Sequence, residues 1–403
     1  MTDTTGLEEE HGTAPGWEPD VLPGFERLTL PLEPDDEGEV VATLVRRRHE
    51  DSAAEGRSGA QPSGARGAPG VAPAEARAGS AAPDAGVDLL YVHGWVDYFF
   101  QAHLADFWEG LGVRFHALDL RKYGRSLRPH QTPGFVTGLD TYDEEIAAAL
   151  RVMGHGPVRA TRRRLVVMGH STGGLTLSLW AHRHPGRADA LVLNSPWLEF
   201  QTRQLGRRVL EPGIRAQATV APRSTLINLD QGFYVRSISS RYDGEWEFDA
   251  AWRPDAGWRA TPAWLAAVFS GHDQVAHGLS IDVPILVLLS ARSTPPVRWQ
   301  PEMMRTDSVL NVRGVARRVP NLGSVITLVR LDGALHDVTL SAPEVRERVW
   351  QETERWFRAY VAPSAPEPDD DAPAAAGLGG RLRTRLRAWW PSSREGRRPR
   401  GRG

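Results

Sequence analysis

The sequence predicts an α/β fold, with a mostly parallel, doubly wound sheet and helices on both faces. Short apolar segments with the composition of strands alternate with helical patterns, and the strands are predicted at residues 25–30, 40–46, 89–92, 114–120, 165–168, 190–193, 284–289 and 325–331. Several of these segments are continuously apolar, which is typical of parallel strands buried on both faces. Their alternation with helices indicates a single layered sheet.

Two of the helix starts carry a capping pattern. Thr141 and Glu144 precede the apolar positions of one helix, and Ser341 and Glu344 precede those of another. A Ser or Thr followed three residues later by Glu can satisfy two free backbone N–H groups at a helix start. We therefore predict a capping box at each of these two starts.

Two long regions lack the composition of a packed core. Residues 51–87 contain 27 Ala, Gly, Pro or Ser and no aromatic residue, and residues 362–403 join an acidic, Pro-rich piece to an Arg-rich end. Such segments bury too little apolar surface to offset the entropy of ordering them. We predict disorder in both, and also at residues 1–22, which leaves 23–196 and 283–361 as the two parts of the core.

Composition also excludes several classes of function. The formal net charge is −2, from 48 Lys and Arg against 50 Asp and Glu, so there is no overall basic footprint for nucleic acid. The absence of cysteine excludes disulfides, thiolate metal sites and cysteine nucleophiles. No apolar run approaches the ~20 residues of a membrane span, and the acidic N-terminus is unlike a signal peptide. We expect a soluble, cytoplasmic protein without a nucleic-acid partner.

One motif, LVVMGHSTGGLT at residues 165–176, predicts the chemistry. A serine on a tight strand-to-helix turn needs neighbours without bulk two residues to either side, and Gly169 and Gly173 flank Ser171 in this way. The same turn places the Thr172 amide at a helix N-terminus, where it can donate to an oxyanion. The motif alone is common by chance, but the strand before it and the helix after it favour a nucleophilic serine.

Two segments upstream support a nucleophilic serine. Residues 89–95, LLYVHGW, form a strand that ends in His-Gly, which offers the Trp95 amide as a second oxyanion donor. His93 itself is given no catalytic role. Residues 114–126 form a strand that ends in Asp119 and continues into a glycine-containing loop.

Together these pieces resemble the α/β-hydrolase superfamily, and within it the serine aminopeptidase and monoacylglycerol lipase-like (lysophospholipase-like) branch. The matching pieces are His93-Gly94, the DLRKYGRS loop at 119–126, the Gly169–Gly173 elbow and a late histidine. The resemblance spans about residues 88–196 and 283–358, and Lys122 stands where such proteins usually carry glycine. It implies an α/β-hydrolase fold with a helical cap inserted late in the core, here residues 197–282.

The resemblance also implies the chain order serine, acid, histidine. His336 follows the last predicted strand and precedes a helix, which makes it the candidate general base. The adjacent Asp337 is expected at the surface or in a turn, because side chains of neighbouring residues point apart.

The acid is harder to assign, because no carboxylate directly follows the strand after the cap. Glu302 and Asp307 are the next candidates along the chain. Asp307 is preferred, since residues 306–312 look like the family's acid loop displaced by an insertion. Glu199, at the end of an earlier strand, stays open as the alternative.

The predicted cap carries aromatic residues that could line an apolar acyl pocket, although each could equally belong to the cap's own core. We therefore expect a serine hydrolase that cleaves carboxylic esters of a hydrophobic acyl substrate, as lysophospholipases and monoacylglycerol lipases do. Its triad would be Ser171, His336 and Asp307, with the amides of Trp95 and Thr172 as oxyanion hole. An aminopeptidase, thioesterase or acyltransferase on the same triad, or a non-catalytic binding module, remain alternatives.

No metal or cofactor is expected, since the sequence contains neither a metal-binding pattern nor a G-x-G-x-x-G between strand and helix. The expected partner is a small ester or lipid molecule. The Arg-rich residues 380–402 could form a short basic helix on an anionic membrane, or could be a solvated tail.

Overall fold

The computed structural model describes residues 16–48, 86–158, 160–200, 204–226 and 232–362. The Arg-rich tail and almost all of the predicted insertion at 51–87 lie outside these described residues, as do residues 1–15. Predictions made for those segments, including the membrane contact of the tail, therefore stay predictions.

The described strands form one nine-stranded sheet in the order β1-β2-β3-β5-β4-β6-β7-β8-β9. They are β1 Glu18–Pro19, β2 Phe25–Asp35, β3 Gly38–Arg47, β4 Val87–Val92, β5 Val113–Asp119, β6 Arg164–His170, β7 Ala190–Asn194, β8 Ile285–Ser290 and β9 Ile326–Leu331. The helices are α1 Ala102–Gly110, α2 Asp143–Val152, α3 Thr172–Arg183, α4 Gln204–Val220, α5 Phe233–Ile238, α6 Pro262–His277, α7 Val312–Arg318 and α8 Pro343–Tyr360.

The sheet is antiparallel at one edge and parallel elsewhere. Strands β1 to β3 pair antiparallel with their neighbours, and β3 pairs antiparallel with β5. From β5 through β4, β6, β7 and β8 to β9 every pair is parallel. The predicted α/β class and the mostly parallel sheet are thus confirmed. In such sheets, ligands bind at the edge formed by the carboxyl ends of the strands.

Apolar side chains pack on both faces of the sheet. On β4, Leu89 and Tyr91 belong to one buried cluster, while Leu90 and Val92 belong to another. Alternate residues of a strand point to opposite faces, so a strand covered on both sides must be apolar throughout. This is the physical reason for the continuously apolar segments in the sequence.

The predicted disorder of residues 1–22 is wrong for the part that the structure describes. Strand β1 pairs with β2, and the Asp20 carboxylate accepts hydrogen bonds from Arg125 Nε at 2.7 Å and Nη2 at 2.6 Å. Burial alone would raise the pKa of Asp20, but the Arg125 guanidinium lowers it. Local composition does not reveal this segment, because Arg125, which pairs with Asp20, lies about a hundred residues further along the chain. Strand β4 likewise begins at Val87, inside the predicted insertion.

Both predicted capping boxes are also wrong. Helix α2 begins only at Asp143 and has no side-chain cap, while the Glu144 carboxylate accepts a hydrogen bond of 2.6 Å from Arg121. Helix α8 begins at Pro343, and Ser341 Oγ instead accepts from the Leu335 amide at 2.9 Å. In both places a residue outside the helix binds the side chain that would have taken part in the cap.

Between β7 and β8 the chain leaves the sheet for the segment that the sequence assigns to a cap. This segment carries α4, α5 and α6, and Gly271 of α6 packs against α3: a Cβ added to it would lie 2.9 Å from Leu179. Within the described ranges, no helix is long and apolar enough to cross a membrane.

Candidate active site

Ser171 stands on a strained turn between β6 and α3. Its backbone has φ 53° and ψ −114°, in a region that costs a non-glycine residue about 1–3 kcal/mol. A Cβ added to Gly169 would lie 2.5 Å from the Gly173 carbonyl oxygen, and one added to Gly173 would lie 2.3 Å from the His93 carbonyl oxygen. The turn therefore requires glycine at both positions, and it holds Ser171 at the carboxyl edge of the sheet.

His336 lies between the serine and a carboxylate. Its Nε2 is 3.0 Å from Ser171 Oγ, and its Nδ1 is 3.0 Å from Asp307 Oδ2. The carboxylate favours a proton on Nδ1, which leaves Nε2 free to accept the serine proton. Only 3% of His336 is exposed, and 7% of Ser171, so the pair is shielded from bulk water.

Asp307 lies at the end of a long loop, residues 291–306, that follows β8. Residues 291–306 leave the sheet and return, so that the Asp307 amide donates to the Arg292 carbonyl at 3.0 Å. Asp307 thereby lies beside the segment that directly follows β8. Its Oδ1 accepts from the Val309 and Leu310 amides, both at 2.7 Å, which fixes the carboxylate and leaves Oδ2 facing His336.

The other candidate acids have different surroundings. The Glu199 carboxylate pairs with Arg318 Nε. Glu302 is exposed in the loop after β8, in the short turn Pro301–Arg305. Of the carboxylates weighed from the sequence, Asp307 is the one that contacts His336.

The two predicted oxyanion donors flank the serine. Thr172 is the first residue of α3, and Gly94, next to Trp95, packs so closely that an added Cβ would lie 3.0 Å from Ser171 Cβ. Among the described residues, neither the Trp95 nor the Thr172 amide donates a hydrogen bond to the protein. Both amides are therefore available to a ligand oxygen.

His93 fixes the loop that carries Trp95. Its Nδ1 donates to the Gly94 carbonyl at 2.8 Å, and its Nε2 accepts from the Leu120 amide at 3.1 Å. These two contacts define one neutral tautomer, and burial lowers the pKa of the ring. The histidine is thus placed for a structural role, as the sequence analysis expects.

The DLRKYGRS loop supports the same region. Asp119 Oδ1 accepts from the Phe99 amide at 2.9 Å, and its Oδ2 accepts from Arg125 Nη1 at 2.8 Å. Lys122, at the position usually held by glycine, has φ 63°, the left-handed conformation that glycine adopts most easily. Its buried ammonium lies 2.5 Å from carboxylate oxygens of Asp35 and Glu37, which offsets that strain.

Sequence reasoning missed a buried ionic cluster beside the triad. Arg253 Nη1 lies 2.6 Å from Asp97 Oδ1, and His170 Nδ1 lies 3.3 Å from Asp97 Oδ2. Burial alone would raise the pKa of Asp97, but the Arg253 guanidinium and His170 together lower it to about 2. The cluster ties the cap segment to the loop that carries Trp95 and to the residue before Ser171. No local pattern signals it, because its members are far apart in sequence.

Asp337 lies in a turn, one of its two expected positions, but it is 1% exposed rather than at the surface, and its Oδ1 accepts from the Thr339 amide at 2.9 Å. Its Oδ1 accepts from Asn194 Nδ2 at 2.6 Å, and its amide donates to Tyr234 Oη at 3.2 Å. The Tyr234 ring then meets the His336 ring edge to face, with centroids 5.3 Å apart. Asp337 therefore fixes both the histidine loop and an aromatic wall over the histidine.

Indole rings cluster on segments that adjoin the serine. The Trp197 amide donates to the Ser171 carbonyl at 3.0 Å, and the Trp197 ring lies 6.0 Å from that of Trp264. The Trp264 ring lies 3.8 Å from the Trp95 ring, which is also 5.8 Å from Trp258. In the described part of the chain, no group of three or more His, Asp or Glu side chains is arranged to hold a metal ion.

Comparison with known proteins gives one family and a set of distant structures. The family model described as serine aminopeptidase, S33, a hydrolase family, matches residues 85–294, just over half of the chain. No curated protein sequence matches.

Solved structures of lipases are similar to the chain. The monoacylglycerol lipase of Paleococcus ferrophilus is 18% identical with a TM-score of 0.50, over 68% of this chain and 94% of that one. A soluble variant of the Saccharomyces cerevisiae monoglyceride lipase, in complex with a substrate analogue, is 14% identical with a TM-score of 0.52, over 83% and 97%. A lipase in an open form is 16% identical with a TM-score of 0.52, over 83% and 99%. At these identities the likeness shows a shared fold.

Proposed function

This chain belongs to the serine aminopeptidase S33 family of α/β-hydrolases, and from that premise we propose that it cleaves carboxylic esters of hydrophobic acyl groups through an acyl-enzyme. Membership of this family makes the chain a hydrolase. The observation that carries the proposal is the continuous contact from Asp307 through His336 to Ser171, with both hydrogen bonds at 3.0 Å.

In the first half of the reaction, Ser171 Oγ attacks the ester carbonyl carbon while His336 Nε2 takes the serine proton. Asp307 stabilises the resulting imidazolium and holds its orientation. The carbonyl oxygen becomes an oxyanion between the amides of Trp95 and Thr172, each of which contributes a factor on the order of 10²–10³ in rate. The intermediate then expels the alcohol oxygen, which takes the proton from His336, and the acyl group stays on Ser171.

In the second half, a water molecule replaces the alcohol. His336 takes a proton from this water as it attacks the acyl carbon, and the same two amides hold the second oxyanion. Collapse of that intermediate returns the proton to Ser171 Oγ and releases the carboxylic acid. Histidine thus alternates between base and acid, and the enzyme ends as it began.

The hydrophobic character of the acyl group is supported by a cluster of indole rings on segments that adjoin the serine. Trp95 and Trp197 are half-buried, and both contact Trp264. Indole surface of this kind favours an alkyl or aromatic acyl group, since each buried methylene contributes about 0.8 kcal/mol.

An aminopeptidase would need a carboxylate for the substrate ammonium, and this is the second candidate because the family model carries that description. The buried carboxylates nearest the triad already have partners: Asp97 has Arg253, and Asp337 has Asn194. These contacts favour the ester reaction over the aminopeptidase reaction.

The test is turnover of p-nitrophenyl and glyceryl esters of graded acyl length, beside aminoacyl p-nitroanilides, with intact-mass detection of acylated protein. We expect ester turnover and an acyl adduct on Ser171, both absent in Ser171→Ala. The matched control is Ser178→Ala, a buried serine that donates to the Gly174 carbonyl in α3 and lies outside the proposed machinery. Faster cleavage of the anilides would favour the aminopeptidase, and ester turnover retained by Ser171→Ala would refute the mechanism.

A further inference from the structure

We propose that Arg253 is a positioning residue for the oxyanion hole, and that it acts from the cap segment, through Asp97, on the loop that carries Trp95. The inference rests on the proposed ester hydrolysis, which needs the amides of Trp95 and Thr172 at one oxygen atom. It makes the catalytic geometry depend on contact between the cap segment and the core. A change at this contact should therefore alter the chemical steps of the reaction.

The two donor amides belong to different segments of the chain. Trp95 lies on a loop that follows β4, whereas Thr172 is the first residue of α3. Both amides must lie within hydrogen-bonding distance of the oxyanion, and a misplacement of about 1 Å can cost a hundredfold in rate. Contacts that set the spacing between these two segments therefore act on the rate.

Asp97 and His170 join these two segments directly. Asp97 lies two residues after Trp95, His170 immediately precedes Ser171, and Asp97 Oδ2 is 3.3 Å from His170 Nδ1. The His170 ring also packs against the same loop, since a Cβ added to Gly94 would lie 3.2 Å from His170 Nδ1. Asp97 is 1% exposed and His170 is 2% exposed, so water does not compete for their contact. The Asp97 carboxylate thus links the loop of one donor to the turn of the other.

The loop that carries Trp95 needs an anchor because its backbone is strained. Val96, between Trp95 and Asp97, has φ 51°, which is an outlier for a β-branched residue. Such a conformation persists only where the surrounding contacts enforce it. On one side of Val96 the loop is held by His93, whose Nδ1 donates to the Gly94 carbonyl at 2.8 Å. On the other side it is held by the Asp97 carboxylate, so releasing that carboxylate lets the loop relax.

The second oxygen of Asp97 is held from the cap segment. Arg253 Nη1 lies 2.6 Å from Asp97 Oδ1, and the Arg253 side chain is 4% exposed. Its guanidinium carbon lies 5.1 to 5.6 Å from the ring centroids of Phe100, Tyr234 and Phe248. A buried cation surrounded by aromatic rings has few other positions, so it fixes the carboxylate to which it binds.

Backbone and ring contacts hold the part of the cap segment around Arg253 against the core. The Asp249 amide donates to Tyr98 Oη at 2.7 Å, and the Trp252 ring meets the Tyr98 ring with centroids 5.1 Å apart. The Arg253 amide in turn donates to the Asp249 carbonyl at 2.9 Å. The position of Asp97 therefore depends on where this part of the cap segment lies.

The proposal predicts a kinetic signature that a loss of stability does not produce. An oxyanion forms once in acylation and once in deacylation, so a misplaced donor slows both steps by a similar factor. Partial unfolding instead lowers the number of active sites and leaves the rate at each remaining site unchanged. The burst amplitude on p-nitrophenyl octanoate counts the active sites, so the two effects can be separated.

The experiment measures acylation and deacylation of p-nitrophenyl octanoate per active site, together with inhibition by octyl trifluoromethyl ketone. Ser171 Oγ adds to the ketone carbon and His336 takes the serine proton, so the ketone oxygen becomes an oxyanion between the two donors. In Arg253→Met we expect both rate constants to fall about a hundredfold and the inhibition constant of this ketone to rise by the same factor. Octyl methyl ketone, which has no such activated carbonyl, should bind the wild type and the variant alike.

Further variants separate positioning from folding. Arg253→Met leaves the buried Asp97 without its cation and endangers folding, so Asp97→Asn/Arg253→Met is measured beside it. The double variant should regain stability and still bind the trifluoromethyl ketone at least about tenfold more weakly than the wild type. Arg253→Lys keeps a cation and should recover part of the affinity.

The matched control is Arg223→Met. Arg223 also joins the cap segment to the core, through Asp36 and Glu37, and it lies outside the proposed machinery. This variant loses an ion pair of the cap segment but keeps the contact with Asp97. It should leave the inhibition constant of the trifluoromethyl ketone within about twofold of the wild-type value.

Three results would overturn the proposal. They are a wild-type ketone affinity in Arg253→Met, a wild-type affinity in the double variant, and an equal loss of affinity in Arg223→Met and Arg253→Met. Failure of the proposed function has a different appearance: the folded wild type would then show no burst with any ester and no adduct with the ketone. The two failures are therefore distinguishable.

Discussion

Arg253→Met tests whether the buried pair with Asp97 fastens the cap segment to the catalytic core. The side chain of Asp97 is 1% exposed and that of Arg253 is 4% exposed, with 2.6 Å between Nη1 and Oδ1. Removing one partner of such a buried pair costs about 3–5 kcal/mol, because the other charge stays buried without compensation. Removing both charges together costs far less. We therefore expect Arg253→Met to be destabilised by several kcal/mol and Asp97→Asn/Arg253→Met to recover most of that loss.

The lowered pKa of Asp97 gives a second measure of how much its ionised form contributes to the free energy of unfolding. Its lowering from 3.8 to about 2 corresponds to about 2 kcal/mol, at 1.36 kcal/mol per pKa unit. Because the folded-state pKa is depressed, this stability is fully present above pH ~4 and is lost as the pH falls through 2. In Arg253→Met, burial would instead raise the pKa of Asp97, so the defect should shrink as the pH falls and the carboxyl takes up a proton.

The assay is urea unfolding of the wild type, both single variants and the double variant, at pH 7 and at pH 4.5. A coupling free energy of about 2 kcal/mol or more is expected between the two sites at pH 7. Additive effects of the two single substitutions would refute the reasoning, and so would a defect in Arg253→Met that does not change with pH. A hydrolysis rate that falls with the same substitutions would show that the pair also positions the loop that carries Trp95.

Three further predictions concern other parts of the chain. Burial lowers the pKa of His116 from 6.5 to about 4. The free energy of unfolding is therefore highest above pH 6.5 and falls as the pH drops toward 4. In His116→Leu about 3 kcal/mol of this fall should be absent, as measured by urea unfolding. Gly173→Ala places a Cβ 2.3 Å from the His93 carbonyl oxygen and should slow acylation at least about a hundredfold. Lys122→Gly and Lys122→Ala both remove the ammonium that pairs with Asp35 and Glu37, together with its buried stem, but Lys122→Gly should be about 1 kcal/mol more stable to unfolding than Lys122→Ala because φ is 63°.

Each of these predictions has a control or an opposing result. An unchanged pH slope in His116→Leu would contradict the buried neutral histidine. Gly213→Ala is the matched control for Gly173→Ala, since nothing lies within 4 Å of its added Cβ, and it should leave acylation intact. Equal stability of Lys122→Gly and Lys122→Ala would contradict the strained backbone at this position.

The sequence predicts those features whose signals are local. Continuously apolar strands indicate the parallel sheet, and the glycines around Ser171 indicate a turn that tolerates no Cβ. The structure brings Ser171, His336 and Asp307 together, although Asp307 was preferred to Glu199 through a resemblance. The sequence alone could not decide between Asp307 and Glu199, because the contact with His336 depends on how residues 291–306 return to the end of β8.

Specific side-chain contacts that no local pattern encodes account for what the sequence did not predict. Asp97 and Arg253 are separated by 156 residues, and neither belongs to a pattern that names the other. Ser341 has the spacing of a helix cap, but the Leu335 amide takes its hydroxyl. Asp337 lies in a turn, one of the two positions expected for it, but it is buried because Asn194 donates to its carboxylate from β7. In each case a specific hydrogen bond or ion pair decides against the local preference.

The most direct test of the central claim is the rate of modification by a fluorophosphonate, followed by intact mass and peptide mapping. We predict a single adduct on Ser171 in the wild type, no adduct in Ser171→Ala, and a rate reduced at least about a thousandfold in His336→Ala. Asp307→Asn should also react slowly, while Glu199→Gln should react at the wild-type rate. A folded wild type that stays unmodified, or a Glu199→Gln variant as slow as Asp307→Asn, would contradict the assignment of Ser171, His336 and Asp307.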